Sequence, residues 1–228
     1  MSRERNAIAE KEDSIMVPSF EACALRYFDQ WFCLEKGFYK NLNKPESERE
    51  LKLRALFDAA KFFKISRNFP RKFDVQQGKD RLQPALEALE ATRRPAKDPD
   101  MIEAVNSLAD ELSQKYGGKK MLSASSKLLW LRCRDPLVIF DNRANTALEV
   151  ADDTYAVYVA AWRKRFLREK DHVEAACKKL PEVLKFALCG NQMTESSDRD
   201  VISQPWFHHR VFDSYLWHKG GPVQSWLP

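Results

Sequence analysis

Apolar residues recur at helical intervals along nearly the whole chain, and this spacing restricts the fold more than any other feature. The clearest case lies between residues 102 and 116, where the apolar positions follow at short steps: Ile102, Val105, Leu108, Ala109, Leu112 and Tyr116. Alternating patterns of the kind that half-buried strands show are nearly absent. We therefore predict an all-α fold, a single-domain helical array of about eight to ten helices.

Capping and breaking residues set the expected helix boundaries. Pro18 and Ser19 open a first helix that we expect to stop near Gly37. Two separate helices are predicted at 155–166 and at 171–188, and a last one runs from about Pro205 to the glycine pair at 220–221. Each boundary rests on local sequence alone.

The length of 228 residues fits one well-buried domain. We expect a flexible N-terminal extension at 1–16 and a single helical domain at 17–228. The 38 Lys and Arg residues exceed the 33 Asp and Glu residues, which gives a net charge of +5. This excess favours anionic partners without identifying one.

The five cysteines suggest neither a disulfide framework nor a metal site, because their number is odd and their spacing is wide. Most of them also fall inside apolar helical patterns: Cys23, Cys33, Cys133, Cys177 and Cys189. We therefore expect five reduced thiols, with no metal and no cofactor.

The cellular location is predicted from two features of the sequence. Residues 1–13 alternate in charge where a secretion signal would present an apolar core, and no later stretch approaches the ~18 apolar residues of a membrane helix. These features predict a cytoplasmic protein with no membrane association.

One segment, residues 121–144, mixes polar and apolar blocks abruptly and carries the candidate chemistry. The serine-rich stretch 123–126 is expected to form a tight turn and to cap a helix that begins near Lys127. A lysine in that first turn would lie at the positive end of the helix dipole, which favours the neutral, nucleophilic amine. Farther along, the buried run 137–140 delivers Asp141 to the start of the next helix.

The same residues also have a purely structural interpretation. Asp141 is a natural N-cap, Lys127 could be an exposed amine, and the serines could be a turn and nothing more. Composition alone favours this interpretation.

The segment resembles the signature of the helix-hairpin-helix DNA glycosylases, especially the 8-oxoguanine glycosylase branch and its short bacterial relatives. Residues 122–127, Leu-Ser-Ala-Ser-Ser-Lys, match the hairpin and the nucleophilic lysine of that family. Residues 138–143, Val-Ile-Phe-Asp-Asn-Arg, resemble the apolar run that ends in an essential aspartate. The hairpin has serines where the family usually has glycines, and the interval from lysine to aspartate is shorter than in the larger enzymes.

The resemblance implies a helix-hairpin-helix-like element and a glycosylase with β-lyase activity on a modified purine, for example an oxidised one, that is flipped out of the duplex. Lys127 would attack the sugar C1′ and Asp141 would stabilise the positive charge that develops on the sugar. Four residues would contact the DNA: Ser123, Ser125, Ser126 and Arg143.

The sequence Trp206-Phe207-His208 offers aromatic and basic side chains that could stack on a flipped base. Core aromatics with surface histidines are the competing interpretation. We nevertheless treat Trp206, Phe207 and His208 as base-pocket candidates.

A second function stays open at this point. The same helical fold could bind DNA or a protein without turnover, and short relatives of this branch look like accessory proteins of antiphage operons. DNA modification within such a defence system is therefore the alternative to housekeeping repair, and a protein from the same operon is the alternative partner to DNA.

Overall fold

The computed structural model describes residues 17–45, 48–69, 81–118, 120–152, 154–190 and 200–221. Within these ranges the chain is helical and contains no strand, so the predicted all-α class is confirmed. The predicted N-terminal extension, 1–16, lies outside the described residues. The helices are α1 Phe20–Gln30, α2 Lys36–Leu42, α3 Arg49–Phe62, α4 Gln83–Ala91, α5 Asp98–Tyr116, α6 Leu122–Cys133, α7 Asn142–Ala147, α8 Tyr155–Val183 and α9 Pro205–Lys219.

The first helical run is longer than the sequence indicated. A π-helical segment, Trp31–Glu35, joins α1 to α2 without a break, and Gly37 lies inside the run instead of at its end. Nothing lies within 4 Å of the position that a Cβ on Gly37 would occupy, so the residue is an exposed glycine within a helix. The expected stop at Gly37 is therefore wrong; packing of α2 against α3 outweighs the local preference.

The two helices predicted at 155–166 and 171–188 form the single helix α8. The apolar pattern is interrupted near residue 170 because that part of the helix faces solvent. Ion pairs one helical turn apart, Arg165 with Glu169 and Lys170 with Glu174, bridge the interruption on the surface. The apolar pattern therefore stops where the side chains of α8 become exposed, although the helix itself continues.

Helix α6 lies at the centre of the fold. Every residue from Ala124 to Leu131 is buried, so nearly every face of the helix contacts another part of the protein. A helix that is covered all round is held by its neighbours more than by its own amphipathicity. Any side chain on α6 that reaches a cavity is therefore held in a fixed position.

The apolar run Leu137–Phe140 packs beside α6 as a buried, non-helical strap. Side chains from helices satisfy its backbone groups: Tyr155 and Tyr158 donate to the carbonyls of Val138 and Ile139, and Ser126 Oγ accepts from the amide of Phe140 at 3.0 Å. Buried backbone groups need such partners. The strap therefore holds the start of α7 at a fixed distance from α6.

The C-terminus of α9 packs directly against the backbone of α7. At Gly220, which follows α9, a Cβ atom would overlap the carbonyl oxygen of Arg143. The absence of a side chain at this position permits the close approach, which sets the position of the last turn of α9 relative to α7.

We expect Gly220→Ala to destabilise the fold by about 1–3 kcal/mol, because the added methyl group must push two backbones apart. The matched control is Gly37→Ala, which should stabilise the protein by about 0.5–1 kcal/mol since it fills open space in a helix. Urea unfolding of both variants measures the difference. Equal free energies of unfolding for the two variants would contradict the close packing of α9 on α7.

A second stability prediction concerns His209, whose ring packs edge-on against the stacked rings of Trp162 and Phe166 on α8, with centroid distances of 5.2 and 4.8 Å. Burial lowers the pKa of His209 to about 3 from its ordinary value of 6.5. Below pH 6.5 this histidine is protonated in the unfolded chain but stays neutral in the folded protein. Its protonation therefore lowers the free energy of unfolding as the pH falls. We expect His209→Phe to lessen the loss of unfolding free energy between about pH 7.5 and pH 5, by on the order of 1 kcal/mol. An identical pH dependence in the variant and the wild type would contradict the burial of the neutral ring.

The expectation of five reduced thiols is wrong for two of them. Cys33 and Cys189 form a disulfide, whereas Cys23, Cys133 and Cys177 are free. The bonded residues are 156 positions apart in sequence, and their Cα atoms lie 6.0 Å apart. The spacing of the cysteines in the sequence did not indicate this disulfide. The two thiols meet only because the turn after α8 packs against the π-helical segment.

None of the helices in the described ranges is both long enough and apolar enough to cross a membrane. This finding agrees with the sequence prediction on membrane spans. The predicted cytoplasmic location is untested.

Candidate functional site

Lys127 and Asp141 meet across the junction of α6 and α7. The Lys127 Nζ lies 3.1 Å from Asp141 Oδ2, and the lysine side chain is only 10% exposed against 24% for the aspartate. The other oxygen of the same carboxylate, Oδ1, accepts the backbone N–H of Arg143 at 3.0 Å. Asp141 is thus the N-cap of α7, as its position in the sequence predicted, and is also the ion-pair partner of Lys127.

The serine-rich stretch does not form the predicted turn. Helix α6 begins at Leu122, so Ser123, Ser125 and Ser126 are helical and Lys127 is the sixth residue of the helix. The dipole of a helix acts mainly on its first turn, so the expected effect on Lys127 does not apply. The connection between α5 and α6 instead contains Gly117 and Gly118, both with positive φ.

The predicted DNA contacts of two serines are also wrong. Ser125 and Ser126 have no exposed surface, because α6 is buried on the faces that carry them. Ser126 Oγ holds the amide of Phe140, which is a structural role. Ser123 alone of the three is partly exposed, and its Oγ lies 3.0 Å from Lys127 Nζ.

A cavity of about 280 Å³ opens beside the ion pair. Lys127 and Asp141 form part of its wall, and α9, α1 and the end of α3 contribute the rest. Its lining combines aromatic rings with hydrogen-bonding groups, and the main ones are Phe62, Phe63, Trp217, Gln30, Arg26 and Asp213. The volume lies near the lower end of the ~300–1,000 Å³ that is usual for small-ligand pockets, and rings with a few polar groups are the usual lining of such pockets.

A larger groove, of about 1270 Å³, adjoins the same pair from the other side. The two spaces share Phe63, Lys64, Lys127, Asp141 and Trp217. Five cations but a single carboxylate, Asp141, line the described part of the groove; the cations are Lys64, Arg67, Lys120, Lys127 and Arg143. The groove therefore favours an extended polyanion.

The floor of the smaller cavity is a buried polar network on α9 and α1. Arg210 donates to Asp213 at 3.0 Å and lies 3.4 Å from Glu35, which in turn accepts from Tyr27. Trp162 donates its indole N–H to Asp213 at 2.7 Å. Burial raises the pKa of Asp213 to about 6, although the Arg210 guanidinium opposes this change. The network fixes Asp213 and Arg210 at the cavity wall in one arrangement.

Arg143, which the sequence predicted to contact the DNA, lines the groove. Its guanidinium lies 4.1 Å from the centroid of the Trp217 ring, a cation–π arrangement, and it would also contact a Cβ on Gly221. The stacking holds the arginine beside the opening of the cavity. A role in binding phosphate remains a prediction.

The proposed base-pocket residues on the first turn of α9 are not at this site. Trp206 packs against Trp31 at 4.6 Å between ring centroids, and Phe207 packs against Tyr27 at 5.0 Å. His208 bonds the carbonyl of Ile202 through a ring nitrogen, 3.0 Å away. None of the three is among the described residues that line either space, so the assignment is wrong; the competing interpretation as core aromatics is right for Trp206 and Phe207.

The same helix does contribute to the cavity wall, with residues one to three turns farther along. Arg210, Asp213 and Trp217 recur at steps of three and four and so share one face of α9. Charged residues on a helix face that also carries a tryptophan are the sequence signal that could have indicated this buried polar wall. Phe62 and Phe63 gave no comparable signal, because they lie at the end of a helix with an ordinary amphipathic pattern.

Comparison of the chain with protein-family models, with curated proteins and with solved structures gives no match. The function must therefore be inferred from the residues of the site.

Proposed function

We propose that the protein is a DNA glycosylase with abasic-site lyase activity, acting on a modified base that is flipped into the smaller cavity. One observation carries the proposal: the Lys127–Asp141 pair lies where an aromatic-lined cavity meets a cation-lined groove. Enzymes that act on a base of duplex DNA need a pocket for the extruded nucleotide beside a surface for its backbone. The reacting sugar would then lie at the boundary between the two, beside Lys127.

The chemistry follows from the two side chains. As the glycosidic bond breaks, its electron pair leaves with the base, and positive charge grows on the sugar next to the Asp141 carboxylate. Once the Lys127 ammonium has released a proton to solvent, the amine donates its electron pair to C1′. Of its two remaining protons, one goes to solvent and the other to O4′, as the C1′–O4′ bond of the sugar breaks and the imine forms. With an abasic aldehyde in place of the nucleoside, the amine adds to the carbonyl, and water leaves.

The groove offers three kinds of phosphate contact. Gly117 and Gly118 lead to the uncapped N-terminus of α6, where backbone N–H groups remain available. Lys64 and Arg67 lie across the groove, and Arg143 lies beside the cavity opening. These groups would grip the backbone without reading its sequence.

Borohydride trapping on a duplex with a single abasic site tests the proposal. An imine is reduced to a stable amine, so a covalent protein–DNA adduct forms only if an amine of the protein attacks the sugar. We expect the wild-type protein to give an adduct that peptide mapping assigns to Lys127. No adduct, or an adduct at another lysine, would contradict the mechanism.

One observation favours a second candidate, a DNA-binding module without turnover. The Lys127 amine is held by both Asp141 and Ser123, as expected for a structural ion pair. In that case the protein would bind duplex DNA in a salt-dependent way through the groove and would give no adduct.

A further inference from the structure

We propose that Ser123 is a positioning residue, which aims the electron pair of the Lys127 amine at the boundary between cavity and groove. The inference rests on the proposed function and assigns a part of that site. Ser123 precedes Lys127 by one helical turn, so both side chains leave the same face of α6. The two atoms concerned, Ser123 Oγ and Lys127 Nζ, lie 3.0 Å apart.

The reason is the geometry of a neutral amine. Its nitrogen has two N–H bonds and one electron pair in a roughly tetrahedral arrangement, and only the electron pair can form a bond to C1′. Two acceptors flank the Lys127 nitrogen, Ser123 Oγ at 3.0 Å and Asp141 Oδ2 at 3.1 Å. When both N–H bonds point at these acceptors, the electron pair is directed away from them.

The remaining direction, in which the electron pair points, leads to the boundary between the cavity and the groove. Lys127 contacts both the cavity and the groove, whereas the remainder of its surface is enclosed by α6 and its neighbours. A substrate sugar at the boundary would therefore meet the electron pair of the amine instead of an N–H bond. Such orientation lowers the barrier of the attack, because less motion must be frozen in the transition state.

Among the described residues, the hydroxyl of Ser123 neither caps α6 nor bonds a backbone group. The N-cap position of α6 is Met121, and Ser126 Oγ donates to the backbone carbonyl of Ser123 and not to its hydroxyl. The other two serines of the segment are fully buried, and neither hydroxyl contacts Lys127 among the described residues. The hydroxyl of Ser123 thus meets the amine at the edge of the groove.

The first test is single-turnover adduct formation at saturating abasic DNA. We expect Ser123→Ala to slow the trapped-adduct rate by ~10-fold, a modest share of what orientation can contribute, while the Kd for the same DNA stays unchanged. Ser123→Thr should restore most of the rate, because threonine keeps the acceptor oxygen. Ser113→Ala on α5 is the matched control, since it removes a helical hydroxyl that bonds a backbone carbonyl away from both spaces.

The outcomes separate three cases. A wild-type rate in Ser123→Ala would overturn the positioning role. A weaker Kd with an unchanged rate at saturation would make Ser123 a DNA contact and would also overturn it. A slower rate that threonine does not rescue would indicate a structural effect, again against the proposal.

A second measurement does not need DNA and so separates this inference from the proposed function. Reductive methylation with formaldehyde and cyanoborohydride also proceeds through attack of a neutral amine on a carbonyl, with loss of water. The methylation rate of Lys127 relative to the exposed Lys164 should fall severalfold in Ser123→Ala and recover in Ser123→Thr. If wild-type protein gives no DNA adduct but this pattern appears, the proposed function fails and the positioning holds; equal relative rates in all three proteins would overturn the positioning.

Discussion

Lys127→Gln should abolish adduct formation between the protein and abasic DNA under borohydride. Glutamine approximates the shape of lysine, but its amide nitrogen has no electron pair available to form an imine. The Lys127 side chain is largely buried between α6 and α7, is paired with Asp141 and faces both the cavity and the groove; among the other described lysines, Lys64 alone also lines both spaces. Gel separation of the trapped complex measures the effect.

Lys127→Arg is the control that separates charge from nucleophilicity. Arginine keeps the positive charge and can bond the Asp141 carboxylate, yet it stays protonated and does not form an imine. We expect this variant to bind abasic DNA nearly as the wild type does and to give no adduct. An adduct that persists in Lys127→Gln would mean that another amine attacks, for which Lys64 and Lys120 of the groove are the first to examine.

Asp141→Asn should lower the rate of base excision by at least ~100-fold, the scale on which the loss of one electrostatic stabiliser acts in other enzymes. The asparagine oxygen can still accept the N–H of Arg143, so the cap of α7 survives. The negative charge beside the developing cation on the sugar is lost. The free energy of unfolding should fall by about 1 kcal/mol or less, since only the partly exposed ion pair is removed.

The comparison with Asp141→Ala decides between charge and cap. Alanine removes both functions, so it should lower both stability and excision, whereas asparagine should lower excision far more than stability. Thermal unfolding and excision from duplexes that contain modified purines give the two values for each variant. Normal excision by Asp141→Asn, together with early melting of Asp141→Ala, would mean that Asp141 only caps the helix and that the proposed mechanism is wrong.

The sequence predicted those parts of the fold that local rules control. The period of apolar residues indicated the helical class, and Ser19 marked the start of α1 as its N-cap. Asp141 was recognised as a cap because the residue types that begin helices are few and their role is local. The resemblance of residues 121–144 to a glycosylase signature singled out Lys127 and Asp141, and the structure brings these two residues together.

Local rules were wrong where burial competes with intrinsic preference. Serines favour turns in short segments, yet Ser123, Ser125 and Ser126 are helical because the fold covers α6 from several sides. Gly37 does not end its helix, since α2 packs against α3. Trp206 and Phe207 have side chains suited to stacking on a base, but these residues face the core.

The sequence by itself determined the helical class and the caps at Ser19 and Asp141, because hydrophobic spacing and capping act over a few residues. The tertiary structure decided how distant segments meet, since that depends on the joint packing of all the helices. It brought α9 against α7 at Gly220, paired Cys33 with Cys189, and placed Trp217 and Phe63 at the cavity instead of Trp206. A candidate site built from α1, α3, α6, α7 and α9 cannot be deduced from a local pattern, because its shape exists only after those helices have packed.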